Sequence, residues 1–412
     1  MLDINFIREN PEKIKKAAKD KKLDPKVVDR LLKVDETRKQ LIAEVEKLRQ
    51  KRNKLKRGET QKGKKIKELL QRLEPDLRAV EEEFQDLMLR VPIPAAKSVP
   101  VGNTEDDNQE VKRWGKLPQF SFKAKDYLSL MKDLDLVDLE RGARIGGFRQ
   151  YIIKNEAVIL EQALLRWSLD ELAKKGFTLF RPTSMVKESA MIGTGFFPFA
   201  KEDTYQADKD LFLSGTTEVP LMNYHAGETL AENDLPIRYA GISVAFRKEV
   251  GSYGRDVKGI LRVHEFWQTE QVMITKNDEK ESVSWWEELQ KNSEELMQAL
   301  GLPYRVVLVC TGDLAAGQVA RYDIEAWVPS QKKYRETHSN SYLFDFQTRR
   351  LNLRYRDKKG ELRFAHSLNS TALAVPRILI PLLENYQQKD GSVLVPKVLQ
   401  PYTGFGKILP KT

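Results

Sequence analysis

The sequence predicts an α+β protein: a long antiparallel helical hairpin first, then a larger domain built on an antiparallel sheet flanked by helices. Three observations carry this. Val34, Arg38, Leu41, Val45, Leu48, Arg52 and Leu55 recur at spacings of four and three, as do Ile66, Leu70, Leu73, Leu77, Val80, Phe84 and Leu87. That is the heptad pattern of a coiled-coil seam. Between the two runs RGETQKGK (57–64) sets two glycines among polar residues, which suits a chain reversal. Further on, strand patterns such as YRVVLVC (304–310), RYDIEAWVP (321–329) and LNLRYRD (351–357) follow one another without crossover helices. This succession favours an antiparallel sheet over a doubly wound parallel one.

Taken in chain order, each helix of the hairpin has about 26 residues and spans on the order of 40 Å. Pro75 is expected to kink the second. The net charge of +10 is concentrated here: Lys47 to Arg72 holds twelve Lys and Arg against Glu59 and Glu68, so the rest of the chain is near neutral. A polyanion would be drawn to this segment. A dimerising coiled coil with a solvated basic face is the other reading; the two arginines, expected to be buried on the seam, and the basic tip favour a nucleic-acid probe.

The stretch VPIPAAKSVPVGNTEDDNQEVKRWG (91–115), with three prolines and an acidic turn, reads as a linker. The expected organisation is an N-terminal domain over 1–100 with its arm at about 30–91, a linker over 101–120, and the sheet domain over 121–412. LEQALLRWSLDELAKKG (160–176) is a helical pattern within that last part. No internal repeat is visible.

Composition narrows the class. The 412 residues are 41% hydrophobic and 32% charged, enough for full cores in two domains. No apolar run reaches the roughly 18–20 residues that span a bilayer, and the N-terminus lacks a secretory signal. A lone cysteine, Cys310, allows no internal disulfide, and His264, His338 and His366 lack metal-ligand spacing. A cytoplasmic protein without membrane attachment, DNA binding or a zinc site is expected.

The stretch FRKEVGSYGRDVKGILRVHEFWQTEQ (246–271) brackets a glycine-bearing loop with fixed charges. IRYAGISVAFRKEV reads as one strand and ILRVHEFWQTEQVMIT as a second returning antiparallel. Period-two alternation places Arg262, His264, Phe266 and Gln268 on one face of the second, and Arg247 and Glu249 on one face of the first. A polar sheet face open to water is the plain alternative for this hairpin alone.

With TTEVP (216–220), RETHSNSYLFDFQTRR (335–350) and HSLNSTALAVPRILIPLLENYQ (366–387) added, the chain resembles the class II aminoacyl-tRNA synthetases, and among them the seryl-tRNA synthetases. FRKE with RVHEF, and ALAVPR opening a helix, correspond to the last two class II motifs. The helix before FRPTSMV, with Pro182 at its end, corresponds to the first. LVDLERGARIGG, MIGTGFFP and ENYQQKDGSVLVPKVLQPY extend the likeness over nearly the whole chain.

The resemblance implies a homodimer that uses ATP and Mg2+ to activate L-serine and load it on tRNA(Ser), with selenocysteine tRNA a further candidate acceptor. It implies catalytic roles for Arg247, Glu336 and Arg377. Arg247 would clamp the α-phosphate and the serine carboxylate, and Arg377 the far end of a bent ATP. Lys248, Val263, Thr337 and His338 would complete the nucleotide site, with Phe266 under the adenine and Glu249 accepting from its amine. Glu336 and Ser339 would hold the metal. Thr371 would read the serine hydroxyl, and Glu270, Glu218, Thr216 and Thr217 would cradle the ammonium. Lys47, Lys51, Arg52, Lys54, Lys62 and Lys65 would meet the tRNA. These residue types suit the chemistry: guanidinium forks match phosphate oxygens, and a hydroxyl is read by hydrogen bonds that an analogue lacking it leaves unmade.

The chain departs from the family pattern in places. Where these enzymes commonly read SSCSN it reads THSN, with His338 for a serine; where they read NGSG it has Asn369, Ser370, Thr371 and Ala372. Glu265 stands for a glutamine and Pro376 for a glycine. Two other functions compete: a synthetase-like ligase loading a carrier protein, which should lack the basic arm, and a non-catalytic RNA-binding paralogue, which should have lost Arg247, Glu336 or Arg377. The arm and all three residues are present.

Overall fold

The structure, a computed structural model, describes residues 1–56, 59–250 and 259–411. Part of the expected hairpin tip (57 and 58) and of the charged loop (251–258) lies outside the described residues. The chain divides into two compact units, Met1–Pro94 and Ala95–Thr412.

In the first unit the heptads form two helices, α1 (Lys26–Asn53) and α2 (Thr60–Arg90), which pack side by side. Val45, Leu48 and Leu70 are buried along the seam, with Ile66, Leu73 and Leu77 packed against them. α2 stays helical through Pro75. The two seam arginines differ. Arg38 lies over the Phe84 ring at 4.5 Å, so its stem packs and its charge meets a π-face. Arg52 is exposed. That corrects the expectation: at the narrow tip a long side chain reaches water without leaving the seam. Lys47, Lys51, Lys54, Lys62 and Lys65 are exposed too, so the basic surface faces solvent.

The second unit is organised by an eight-stranded sheet. In chain order its strands are β1 (Gln109–Trp114), β2 (Thr178–Phe180), β3 (Ile237–Phe246), β4 (Glu265–Thr275), β5 (Tyr304–Leu308), β6 (Ala320–Val328), β7 (Lys333–Tyr342) and β8 (His366–Val375). They lie side by side as β1-β5-β6-β7-β8-β4-β3-β2. All neighbours run antiparallel except β2 and β3, which are parallel. β1 falls inside the stretch expected as a linker, and its pairing with β5 makes that stretch an edge of the sheet. LNLRYRD contributes instead to a small three-stranded sheet through Arg354–Arg356.

Helices α3 (Glu156–Lys174) and α4 (Glu279–Ala299) cover one face of the large sheet. Polar bonds seat them. The Ser168 and Thr269 hydroxyls lie 2.8 Å apart, Trp286 Nε1 donates to the Asn340 carbonyl at 3.1 Å, and Ser293 Oγ donates to the Thr371 carbonyl at 2.8 Å.

ALAVPR does not open a helix. Ala372–Val375 end β8, and the next helix, α5, runs Leu379–Asn385. A short apolar run has no periodicity long enough to tell strand from helix. Arg377 therefore sits in the turn between β8 and α5, and Pro376 precedes the helix rather than occupying its first turn.

Two strand irregularities set which side chains face away from the helices. Across β6 and β7, Ile324 pairs with His338 but Glu325 pairs with Glu336, so Thr337 is an extra residue. Across β4 and β8, Thr269 pairs with Leu373 but Glu270 pairs with Thr371, so Ala372 is extra. Each bulge shifts the alternation by one residue.

Candidate active site

In a regular strand, residues three apart point to opposite faces. The bulge at Thr337 cancels that, so Glu336 and Ser339 stand on one side of β7, opposite Glu325 and Asp323 of β6. Phe266, Gln268 and Glu270 line the same face on β4, and Thr371 joins them as the cross-strand partner of Glu270. Thr216, Thr217 and Glu218 close over this row at the start of the short helix Glu218–Asn223. The approach requires a glycine beneath: a Cβ on Gly241, the β3 partner of Glu270, would fall 2.7 Å from Thr217 Cγ2.

One end of the face is cationic. Arg377 Nη1 donates to Glu336 Oε1 at 2.8 Å. Arg321 pairs with both oxygens of Asp323 at 3.0 Å, and Arg262 Nη1 lies 3.4 Å from Glu249 Oε2. Burial pushes the Glu336 carboxyl up, but the surrounding Arg377, Arg321, Arg247 and Arg262 outweigh it and hold the group below its ordinary range. Although ringed by protein, that side chain is 45% exposed on the floor of an open cleft, so water screens these attractions. The cleft encloses about 640 Å³ and is lined in part by Arg262, Arg305, Glu325, Tyr334, Glu336 and Arg377. Beside it Val263, Phe266 and Pro376 line a smaller hollow with Glu249 and Arg377.

Arg247 lies where the face changes sign. Its Nε donates to the Gly215 carbonyl at 3.0 Å, and its guanidinium lies 5.2 Å from the Phe266 ring centre. Burial, with help from Arg377, lowers its pKa. Lys248 follows, its backbone N–H bonded to the Asp203 carbonyl at 2.9 Å and its ammonium 5.6 Å from the Tyr205 ring centre.

The other end is acidic and closed. Glu218 and Glu270 are 8% and 3% exposed. Asn369 Nδ2 and Gln347 Nε2 both donate to Glu218 Oε1, at 2.7 and 2.6 Å. Gln268 Nε2 reaches Thr216 Oγ1 at 3.0 Å, Thr217 Oγ1 at 3.2 Å and Glu270 Oε2 at 3.3 Å. Burial raises Glu218 to about 7, against the opposing Gln347 bond and Arg247 charge. Burial and the neighbouring Glu218 raise Glu270 well above the carboxylate range, against a hydrogen bond from Thr371. Among the described residues neither buried carboxylate forms an ion pair, and the pair is suited to a cationic ligand, which would restore both to the ionised form.

The sequence reading placed some residues differently. β3 ends at Phe246 and Glu249 has left-handed backbone (φ 55°), so Arg247 and Glu249 do not share a strand face. β4 begins at Glu265, so Arg262 and His264 precede the alternation; His264 Nδ1 bonds to the Tyr205 hydroxyl at 2.9 Å. His338 turns toward the helix-covered side. Its Nε2 lies 3.0 Å from the Ala372 carbonyl and its Nδ1 2.8 Å from Thr337 Oγ1, and burial lowers it to about 4. Both ring nitrogens are thus occupied by protein. Gln347 and the Arg321–Asp323 pair were not singled out from sequence; the latter was legible, because residues two apart on RYDIEAWVP share a face. Among the described residues no cluster of three His, Cys, Asp or Glu could hold a metal ion, and no helix is long and apolar enough to cross a membrane.

Comparison with known proteins agrees along the whole chain. Residues 199–386 match the family model of the tRNA synthetase class II core domain (G, H, P, S and T), and residues 1–94 that of the seryl-tRNA synthetase N-terminal domain. The chain is 47% identical to the serine–tRNA ligase of Deinococcus radiodurans, with 99% of each chain covered, and 42% identical to that of Dictyoglomus thermophilum over the full length of both. Its fold superposes on the seryl-tRNA synthetase of Pyrococcus horikoshii complexed with ATP with a TM-score of 0.92, at 40% identity over the whole of both chains. For the cytoplasmic serine–tRNA ligase of Naegleria fowleri in complex with AMP the TM-score is 0.89, at 33% identity, covering 100% of this chain and 99% of the other.

Proposed function

Because the chain belongs to the seryl-tRNA synthetases, a class II aminoacyl-tRNA synthetase family, we propose that ATP and serine meet on the open face of its large sheet. The enzyme activates L-serine with ATP and transfers it to tRNA(Ser). The observation that carries the siting is the change of sign along one face: Arg262, Arg321 and Arg377 at one end, Arg247 at the change, two buried carboxylates at the other. ATP and a zwitterionic amino acid, joined carboxylate to α-phosphate, present the complementary order.

In the first step a serine carboxylate oxygen attacks the α-phosphorus, a P–O bond forms, and the bond to pyrophosphate breaks. No proton moves, so alignment and charge neutralisation supply the catalysis. Arg247, between the two ends, reaches both the carboxylate and the α-phosphate; Arg377 takes the distal phosphates. Phe266 stacks beneath the adenine, and Glu249 accepts from its amine. Glu218 and Glu270 take the ammonium, aligned by Asn369, Gln347 and Gln268, and Thr371 reads the hydroxyl. In the second step a terminal ribose hydroxyl of the tRNA attacks the acyl carbon, the bond from that carbon to the phosphate oxygen breaks, and AMP leaves as the hydroxyl proton is released to its phosphate or to water.

Glu336 and Ser339 fit Mg2+: both offer hard oxygens on one face of the sheet, Glu336 on the open cleft, leaving positions for water and phosphate oxygens. The ion would add positive charge where pyrophosphate departs. The exposed lysines of the arm and Arg52 supply a cationic track for tRNA. The protein acts as a cytoplasmic homodimer; Leu179 on edge strand β2 and Val158 and Ile159 on α3, each more than 40% exposed, leave apolar surface for a second copy. The carrier-protein alternative required a chain without the arm.

The experiment is charging of total tRNA with labelled serine by the full chain, ATP and Mg2+. Label should reach a plateau on serine-accepting tRNA. Absence of labelled tRNA, with adenylate still forming, would overturn the transfer step.

A further inference from the structure

We infer that His338 is a positioning residue, one imidazole that locks the two strand bulges and so holds the metal side and the serine side of the site in a common geometry. This rests on the proposed siting of serine and ATP. The extra residue of β7 is Thr337 and the extra residue of β8 is Ala372. His338 touches both: Nε2 lies 3.0 Å from the Ala372 carbonyl oxygen and Nδ1 2.8 Å from Thr337 Oγ1. A carbonyl only accepts, so Nε2 carries the proton and Nδ1 is the acceptor for the Thr337 hydroxyl. The hydroxyl has a single proton and two acceptors in reach, Nδ1 at 2.8 Å and, at the longer 3.1 Å, the Ile324 carbonyl opposite His338. The ring is 2% exposed.

A bulge leaves a residue outside the regular ladder, and its polar groups need other partners. Here one ring serves both bulges across the β7–β8 boundary. Without the bulge at Thr337, Glu336 and Ser339 could not share a face. Without the bulge at Ala372, the residues on either side of it would pair differently with β4, and Thr371 would not stand opposite Glu270. Ring and site lie on opposite faces of the sheet, so His338 acts through the backbone and touches no substrate.

The test is serine-dependent pyrophosphate exchange by His338→Ala, His338→Gln and Thr337→Val in the full chain, with thermal melting alongside. In His338→Ala, the Mg2+ concentration for half-activity and the KM for serine should both rise, each by roughly threefold to tenfold, the scale of one hydrogen bond per side. His338→Gln, whose amide can donate to Ala372 and accept from Thr337, should restore both to within about threefold. If His338→Ala does not fold, Thr337→Val, which loses one bond and keeps the shape, should move the same two constants by a smaller factor. A residue that only packs the core would lower the melting temperature and leave both constants of the folded enzyme unchanged. That result, or movement of one constant alone, overturns the inference. Wild-type exchange with serine tests the siting separately.

Discussion

Arg377, in the turn after β8, and Glu336, in β7, form an ion pair of 2.8 Å. Each adjusts the other: Glu336 raises the Arg377 guanidinium, and Arg377 is the leading attraction that keeps Glu336 ionised against burial. The pair keeps a carboxylate charged amid arginines, as the proposed metal role of Glu336 and phosphate role of Arg377 require.

Arg377→Ala and Glu336→Ala should therefore each reduce adenylate formation to background, because phosphate charge goes uncompensated. Residual exchange in Glu336→Ala should no longer respond to Mg2+. Exchange near the wild-type rate in either variant, measured with labelled pyrophosphate, would mean the phosphate end of the site lies elsewhere.

Thr371→Ala should weaken serine activation and hardly change ATP binding. One hydroxyl contact is lost, worth roughly 0.5 to 1.5 kcal/mol net. Equal losses in the two KM values would remove Thr371 from the serine pocket.

The buried carboxylates make ligand-free stability depend on pH. Glu218 is raised to about 7, so between about 4.5 and 7 the folded state holds a proton that the unfolded state has released. Stability conferred by the protonated form is then lost as pH rises through that window. Glu218→Gln should gain in melting temperature relative to the wild type from pH 5 to 7.5, by at most roughly 3 kcal/mol of stability. Parallel profiles would show that Glu218 is charged throughout.

Replacing Val34 to Leu87 by a short Gly/Ser linker should leave serine-dependent exchange nearly intact, since the proposed site lies wholly in residues 95–412. Transfer to tRNA should collapse. The salt dependence of tRNA binding, about −0.7 to −0.9 in log–log slope per phosphate neutralised, should flatten. Changing Lys51, Lys54, Lys62 and Lys65 to Gln should give an intermediate result without unfolding, because all four are exposed. Charging at the intact rate by the deleted protein would make the arm a protein-interaction element.

What the sequence disclosed follows from locality. Heptads and period-two alternation are local patterns, so the α1–α2 seam and the β3–β4 pair could be read directly. The bulges could not. Alternation alone puts Glu336 and Ser339 on opposite faces, and only the register with β6 brings them together. The bonds from Gln347 and Asn369 to Glu218 span more than a hundred residues, and no spacing announces them. Family resemblance supplied the site roles because it already contains such long-range information.

The most direct measurement is ATP–pyrophosphate exchange by the full chain, without tRNA, driven in turn by each of the twenty amino acids. The proposed function requires that serine gives the strongest exchange and that seryl-adenylate is recovered from the reaction. Strongest exchange with any other amino acid, or none with serine, would contradict it.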